Sequence, residues 1–417
     1  MTFIGWHDIH REPYRVLFPL GTMFGCLGVS HWLFYATGIT GSASAFYHAS
    51  IQLGAYLYCF IVGFLWTALP RMASAAPASS RELLTVLGLL GAQVILLIVR
   101  QNILAQLCFA GLLIVLVAFA ARRFAGRRSS GQVPTEFIWI PIGVLFGLVG
   151  SSLLAISAVM SMPAWIMSSA RVMAQQGFVL SVVVGVAGFM APRLMGRAPA
   201  AMVQAGLTTE QMRRVRQRRV AMHLLAAGAL GVSFVIEGRG WIQTAYALRA
   251  AVATVELGRN AQWWRPPALA DFYVRLLWLS LWFIVGGLWA VACWPTYRIA
   301  MLHLVLIGGF SLMSFAVGTM VVLSHAGEPT ALHKPLWVLQ LTAVGVVGAT
   351  IARILADLWP MHYFTLLTVA ASLWLIAGIS WLLFIVPRVL RPIPEGAFER
   401  MHEQAKQQLL RERQTLS

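Results

Sequence analysis

Long apolar runs separated by short polar segments recur along the whole chain. An α-helix needs about 20 apolar residues to cross the hydrocarbon core of a bilayer, and most of the runs approach that length. The pattern therefore predicts an all-α fold, a polytopic membrane helical bundle of about 12 transmembrane helices. The expected helices lie near 16–36, 47–69, 83–99, 103–120, 137–160, 172–192, 220–237, 241–257, 273–293, 298–323, 336–355 and 362–386.

Composition supports a membrane protein and excludes an ordinary soluble domain. The 417 residues are 59% hydrophobic and 11% charged, so one soluble core could not hide the apolar surface. The first apolar run follows the segment MTFIGWHDIHREPYR, which carries charges of both signs, and no small-residue cleavage site comes after the run. We expect this run to remain as an anchor.

Basic residues concentrate in alternate loops, which predicts the orientation of the bundle. Loops on the cytoplasmic side of a membrane carry the excess of Lys and Arg, so both chain ends are expected in the cytoplasm (N-in, C-in). The predicted inner loops hold most of the arginines, including the basic loop 193–219 between the two halves, whereas the outer loops hold four. The four outer residues are Arg100, Arg171, Arg239 and Arg298.

The net charge of +17 has a simple explanation in this arrangement. The excess lies in loops on one face without aromatic interleaving, so anionic lipid headgroups of the bilayer are the expected partner and nucleic acid is not. The domain organisation expected is a transmembrane domain at 1–386 and a basic, amphipathic or solvated, cytoplasmic tail at 387–417. The sequence does not indicate an oligomeric state.

Histidines near the ends of the predicted helices are the candidate ligands for a metal or a haem. His31, His48, His303 and His362 fall near the outer face, and His223 and His325 near the inner one. Neutral imidazole binds iron, copper and zinc, and a b-type haem needs one or two histidines without any further motif. A single histidine at a helix end is more often an interfacial hydrogen-bonding group.

His48 and His303 together favour haem b over that simpler interpretation. Each begins a helix on a face of small and polar residues, which suits the bundle interior. His31 and His362 are alternative ligands at the same depth. His223 and His325 would be the pair for an inner site. Methionines at 160, 162, 167 and 173 are soft ligands for Cu(I), although methionine is also an ordinary packing residue.

Two other residue types complete the candidate chemistry. Arg249 lies inside the run AYALRAAVATVEL, where an arginine must meet an anion. The partner could be Glu237, Glu256 or a haem propionate, and we therefore include Arg249 among the cofactor-binding candidates. The four cysteines form no C-x-x-C pair, which argues against a disulfide framework and against covalently attached haem.

Several stretches resemble the NnrS family. RIAMLHLVLIGGFSLMSFAVGTMVVLSHAGEP resembles the family's tenth helix, and weaker similarities occur in EPYRVLFPLGTMFGCLG, IVGFLWTALPRM and GVAGFMAPRLMG. The resemblance implies a multi-pass protein of the bacterial inner (cytoplasmic) membrane that contains haem and copper and takes part in nitric-oxide metabolism. Its expected ligand is nitric oxide or another small gas. The chain departs from the family at the start of the second helix, where FYHASIQLG keeps only His48.

Two other classes of protein remain open on sequence alone. Twelve helices with a long basic central loop are also typical of secondary transporters, although LPRMASAAPASSRE lacks the Gly-x-x-x-Asp-Arg pattern of the major-facilitator class. A haem-based NO reductase or oxidase-like enzyme is the third possibility. Against a haem-copper oxidase site, the sixth helix carries Gln175 and Gln176, and the seventh offers only His223. The sequence does not decide whether the protein is an enzyme.

Overall fold

The fold is an all-α bundle, as the sequence predicts. The computed structural model describes residues 9–126, 133–197 and 208–392, and these contain helices and no strand. Twelve long helices follow one another along the described chain: α1 Tyr14–Ala36, α2 Ala45–Ala73, α3 Ser80–Ile98, α4 Asn102–Ala125, α5 Thr135–Ile156, α6 Ala164–Leu194, α7 Thr209–Gly238, α8 Ile242–Ala261, α9 Phe272–Cys293, α10 Pro295–His325, α11 Trp337–Leu358 and α12 Pro360–Val389.

Within the described residues, eleven of these helices are long and apolar enough to cross a membrane, and α8 is the exception. Its 20 residues suffice in length, at about 1.5 Å of rise per residue. Its composition differs because it carries Arg249, Glu256 and Arg259. The first two are buried inside the bundle, where α8 packs against α6, α7 and α9. The polar face of α8 is therefore turned away from lipid.

Sequence neighbours pack against one another, and the last helix closes the bundle against the first. α12 packs against both α11 and α1, while α2 reaches α4, α6 and α10 across the centre. Span α2 is the most deeply buried of the eleven. Large apolar side chains cover the outside, and exposed tryptophans mark one membrane face, as in the aromatic belts of membrane proteins. These tryptophans are Trp241, Trp294 and Trp359.

Two helix starts differ from the sequence prediction for local reasons. α7 begins at Thr209 instead of 220, because Thr208 and Gln211 form a capping box and the arginine-rich stretch that follows is a good helix former. α6 begins at Ala164 instead of 172, so the stretch predicted as an outer loop is partly helical. The predicted hairpin between α3 and α4 is present, and Arg100 takes the left-handed conformation with φ of 61° in its turn.

Three helices of the bundle contain π-helical segments. They are Gln52–Tyr56 in α2, Met173–Gly177 in α6 and Leu304–Ser311 in α10. The segments of α2 and α6 contact each other. π-Helical turns are rare and frequently occur at functional sites, since the extra residue re-aims the side chains around it.

The predicted tail extends beyond the described part of the chain. α12 ends at Val389, three residues after the predicted end of the transmembrane domain. The amphipathic stripe proposed for the tail falls on residues after 392 and lies outside the described ranges.

Candidate functional site

His48 is held by the first helix through its Nδ1 atom. Nδ1 lies 2.8 Å from the carbonyl oxygen of Gly28, so Nδ1 carries the proton and donates it. Gly28 also lets α2 approach α1 closely, because a Cβ atom at Gly28 would lie 2.6 Å from Nε2 of Gln52, one turn after His48. Among the described residues no group hydrogen-bonds Nε2 of His48. Its lone pair is therefore available to a ligand.

His303 has the same arrangement on α10. Its Nδ1 donates to the carbonyl oxygen of Ile299, one turn earlier, at 2.7 Å. Nε2 again has no hydrogen-bond partner in the part of the chain that is described. His303 lies immediately before one π-helical segment, and His48 lies four residues before another. Both imidazoles thus expose Nε2 at the point where their helix departs from α geometry.

The structure brings His48 and His303 into electrostatic range of each other and of Arg353. Arg353 belongs to α11 and is buried, and its Nη1 donates to Oδ1 of Asp357 at 2.8 Å. Sequence reasoning missed Arg353. The signal was present, because an arginine inside the apolar run ATIARILADL has to be satisfied in the same way as Arg249. The site therefore combines two neutral imidazoles with one buried cation.

A cleft of about 690 Å³ lies beside this site. It opens between the start of α8, the turn from α9 to α10, the C-terminal end of α11 and the N-terminal end of α12. Two of its lining residues connect it to the histidine pair: Ile299 holds His303, and Asp357 holds Arg353. Its size falls within the range of about 300–1,000 Å³ that is typical of small-molecule sites.

The two alternative outer histidines are less well placed to bind a ligand. Nε2 of His31 accepts a hydrogen bond from the backbone N–H of Ser44 at 2.7 Å, and its ring packs on Tyr47. His31 is nevertheless close enough to His48 to interact electrostatically with it. His362 lies exposed in the first turn of α12.

His325 at the inner end of α10 uses both ring nitrogens in hydrogen bonds. Nδ1 donates to the carbonyl of Val321 at 2.7 Å, and Nη1 of Arg71 donates to Nε2. The ring also packs on Tyr14. His325 belongs to a charged network in which Arg71 and Arg15 each bind Glu12 at 2.6 Å. This network ties the ends of α2 and α10 to the segment before α1.

His223 has different neighbours, so the structure does not form the predicted inner pair with His325. Nδ1 of His223 lies 2.6 Å from Oε2 of Glu256, and Nε1 of Trp139 donates to the same carboxylate oxygen at 3.1 Å. The second ring nitrogen, Nε2, is buried and has no partner among the described residues. Sequence reasoning considered Glu256 only as a partner for Arg249.

Arg249 is satisfied by protein groups. Its side chain is fully buried, and Nη2 donates to Oε2 of Glu237 at 2.7 Å. Nη1 donates to Oε1 of Gln176 at 2.6 Å, and Nε lies 3.3 Å from Oγ of Ser233. Of the three anions that the sequence left open, the structure pairs Arg249 with Glu237.

The described residues contain no group of three or more His, Cys, Asp or Glu side chains arranged to hold a metal ion. The four cysteines are free. A site built from the outer histidines would thus use two imidazoles and not a larger cluster.

Fold and sequence together define the class of protein and then the family. The twelve-helix bundle, with eleven helices suited to cross a membrane among the described residues, is that of a multi-pass membrane protein. The chain belongs to the NnrS family, since the family model described as NnrS protein matches residues 8–392. A comparison with curated proteins found no match. Family membership supports a membrane protein of the nitric-oxide response.

Proposed function

We propose that this protein binds haem b between His48 and His303 near the outer face of the bacterial inner membrane and uses it to bind nitric oxide or to relieve metal-nitrosyl stress. The observation that carries the proposal is that the two imidazoles have the same hydrogen-bonding pattern. Each donates Nδ1–H to a backbone carbonyl and leaves Nε2 free, and the two rings are within electrostatic range.

This arrangement fits the requirements of a haem ligand. Metal-binding histidines almost always donate their other ring N–H to a carbonyl or carboxylate, which fixes the tautomer and the ring orientation. Gly28 supplies that acceptor for His48, and Ile299 supplies it for His303. Haem iron held by both imidazoles would have no open position, so nitric oxide would bind it by displacing one of the two histidines.

Arg353 suits the anionic edge of the cofactor. An arginine can bind a propionate through charge-assisted hydrogen bonds, and this one lies near both histidines. Asp357 holds one of its terminal nitrogens and so orients the guanidinium group. In our proposal Arg353 takes the propionate role that the sequence suggested for Arg249, because Arg249 is already occupied by Glu237.

The cleft beside His303 is the proposed route for the gas. Nitric oxide is small and uncharged, so it needs an opening and no recognition groups. The cleft is lined by apolar and aromatic side chains as well as Arg298 and Asp357, and both of these charges are compensated by ion pairs. Copper has less support, since the described residues offer no third ligand group beside the two histidines.

The other two classes receive weaker support. Membership in the NnrS family favours a nitric-oxide role over secondary transport. For an oxidase-like enzyme, the sixth and seventh helices would have to supply further ligands, but Gln176 binds Arg249 and His223 binds Glu256.

The optical spectrum of the detergent-purified protein tests the proposal. We expect about one b-type haem per chain, with a Soret band and split visible bands after reduction, as for iron held by two imidazoles. Adding nitric oxide to the reduced protein should change this spectrum. Protein that folds and remains free of haem after expression with excess haem would contradict the proposal.

A further inference from the structure

A small cavity lies inside the bundle, between α2, α3, α4 and α6. Its volume is about 20 Å³, and about 10–15 Å³ is enough to hold one water molecule. It lies where the π-helical segments of α2 and α6 contact each other. Leu53 and Gly54 of the first segment and Ala174 and Gln175 of the second belong to its wall. The cavity therefore has the size of a very small ligand.

Three polar side chains in the wall of this cavity are buried and need a hydrogen-bond partner. They are Ser50 of α2, Gln93 of α3 and Gln106 of α4, with exposed fractions of 5%, 1% and 7%. Neither Oγ of Ser50 nor Oε1 of either glutamine has a hydrogen-bond partner among the described residues. A buried polar group that makes no hydrogen bond destabilises the folded state. A ligand that bonds to all three atoms would remove this cost.

The three side chains come from the same depth of the bundle. Ser50 and Gln106 lie five and four residues after the starts of α2 and α4, and Gln93 lies five residues before the end of α3. These helix ends are all on the predicted outer side, so at about 1.5 Å per residue the cavity lies roughly 6–8 Å inside them. Gly54 leaves room for the amide of Gln93, because a Cβ atom at Gly54 would lie 2.7 Å from its Nε2. Water outside the membrane is therefore close to the cavity.

The chemistry of the wall identifies the kind of ligand. None of the described residues that line the cavity is charged, so an ion would be buried there without compensation. Amide oxygens accept hydrogen bonds, and nitric oxide has no hydrogen to donate to them. A water molecule can donate one hydrogen to Oε1 of Gln93 and the other to Oε1 of Gln106, and it can accept the hydroxyl hydrogen of Ser50. One water thus satisfies all three groups.

We propose that this cavity is a binding site for an ordered water molecule, which links α2 to α3 and α4 through Ser50, Gln93 and Gln106. Buried waters typically make about three hydrogen bonds to otherwise unsatisfied groups, and these side chains offer that number. Ser50 lies two residues after His48 on α2. The water therefore holds the outer part of the helix that carries His48 against its neighbours.

Hydroxyl-radical labelling of the full-length protein with X-ray pulses tests whether water occupies the cavity. The radicals form from water where it is bound, so a buried ring beside a bound water is oxidised and a buried ring without one is not. Phe109 lines the cavity and should be labelled. Phe119 of the same helix is the internal control, since it is also buried, stacks on Trp66 and does not line the cavity. It should stay unlabelled.

A double variant tests whether the two glutamines hold the water. Gln93→Leu combined with Gln106→Leu replaces both amides by apolar groups, and apolar cavities stay dry. Labelling of Phe109 should then fall to the level of Phe119. The matched control is Gln340→Leu, the same change at an exposed position of α11, which should leave the labelling of Phe109 as in wild type.

A cryo-electron microscopy map of the wild-type protein, at a resolution that shows ordered water, decides the matter if the double variant does not fold. We expect density within hydrogen-bond distance of Ser50, Gln93 and Gln106. A map in which the two glutamines bind each other and the cavity has no density would overturn the proposal. Wild-type labelling of Phe109 no higher than that of Phe119, or labelling that persists in the double variant, would also overturn it. None of these results depends on bound haem.

Discussion

Arg249 and Glu237 form an ion pair in the interior of the bundle, with 2.7 Å between Nη2 and Oε2 and both side chains buried. Arg298 donates to the other oxygen of Glu237 at 2.8 Å, from a half-exposed position. The pair joins α7 to α8 and, through Gln176, to the π-helical segment of α6. Its role is therefore to hold three helices together.

Replacing Arg249 by alanine should destabilise the protein severely. A buried ion pair that loses one partner costs about 3–5 kcal/mol, because the remaining charge is left without compensation. Arg298 would offset part of this loss. We expect a marked fall in expression and in the midpoint of thermal unfolding, measured by size-exclusion chromatography of heated detergent extracts.

Arg239→Ala is the matched control. Arg239 lies just before α8 on the predicted outer side, is exposed and stacks on Trp165. It should leave thermal stability nearly unchanged. If Arg249→Ala kept normal stability and lost only haem, Arg249 would be a propionate ligand, and the ion pair with Glu237 would not be what holds the three helices together.

The pair of Glu12 with Arg15 and Arg71 should make stability depend on pH. Burial raises the pKa of Glu12, but electrostatic interactions with His325, Arg15 and Arg71 together lower that pKa below its ordinary value of 4.5. A carboxylate whose pKa is lower in the folded state contributes stability above its unfolded pKa, and this contribution is lost as the pH falls through the folded pKa.

Glu12→Gln should therefore lower the thermal midpoint at neutral pH, and the difference from wild type should shrink as the pH falls below about 4.5. The measurement is thermal unfolding of both proteins over a series of pH values. A difference that stays constant from neutral to acidic pH would show that the charge of Glu12 does not contribute.

The arginine asymmetry predicts how the bundle lies in the membrane. Reporter fusions after Arg219 and at Ser417 should score as cytoplasmic, and a fusion near Ala164 should score as periplasmic. The structure places Arg219 ten residues after the start of α7 and Ala164 at the start of α6. Opposite results at two of these three positions would invert the orientation.

The fold was predictable because a membrane helix needs an apolar run of about 20 residues, and such runs are visible in the sequence. All twelve predicted helices are present, and most boundaries agree within a few residues. α8 was predicted from its apolar residues, although Arg249 and Glu256 make it too polar to qualify by composition. Groups on neighbouring helices pair with these polar residues. The composition of α8 by itself does not reveal those partners.

Residue type and depth made His48 and His303 the candidate haem ligands, and the structure brings the two rings into electrostatic range of each other. Their role as haem ligands stays a prediction. The π-helical segments were not predictable, since they depend on packing between helices and have no sequence signature. They shift the angular spacing in α10, so an ideal helical repeat does not tell which residues of α10 share a face with His303. The partner of His223 lies 33 residues away on another helix, and only the tertiary structure identifies it as Glu256.

The optical spectra of His48→Ala and His303→Ala, beside that of His333→Ala, test the central claim most directly. His333 is an exposed histidine bound to Asp271 at 3.0 Å, so its replacement should leave the spectrum of wild type. Removing either His48 or His303 should convert a six-coordinate spectrum to a five-coordinate one or abolish haem binding, because an iron held by two imidazoles loses one of them. If both variants fold and keep the wild-type spectrum, the haem is bound elsewhere and the claim is wrong.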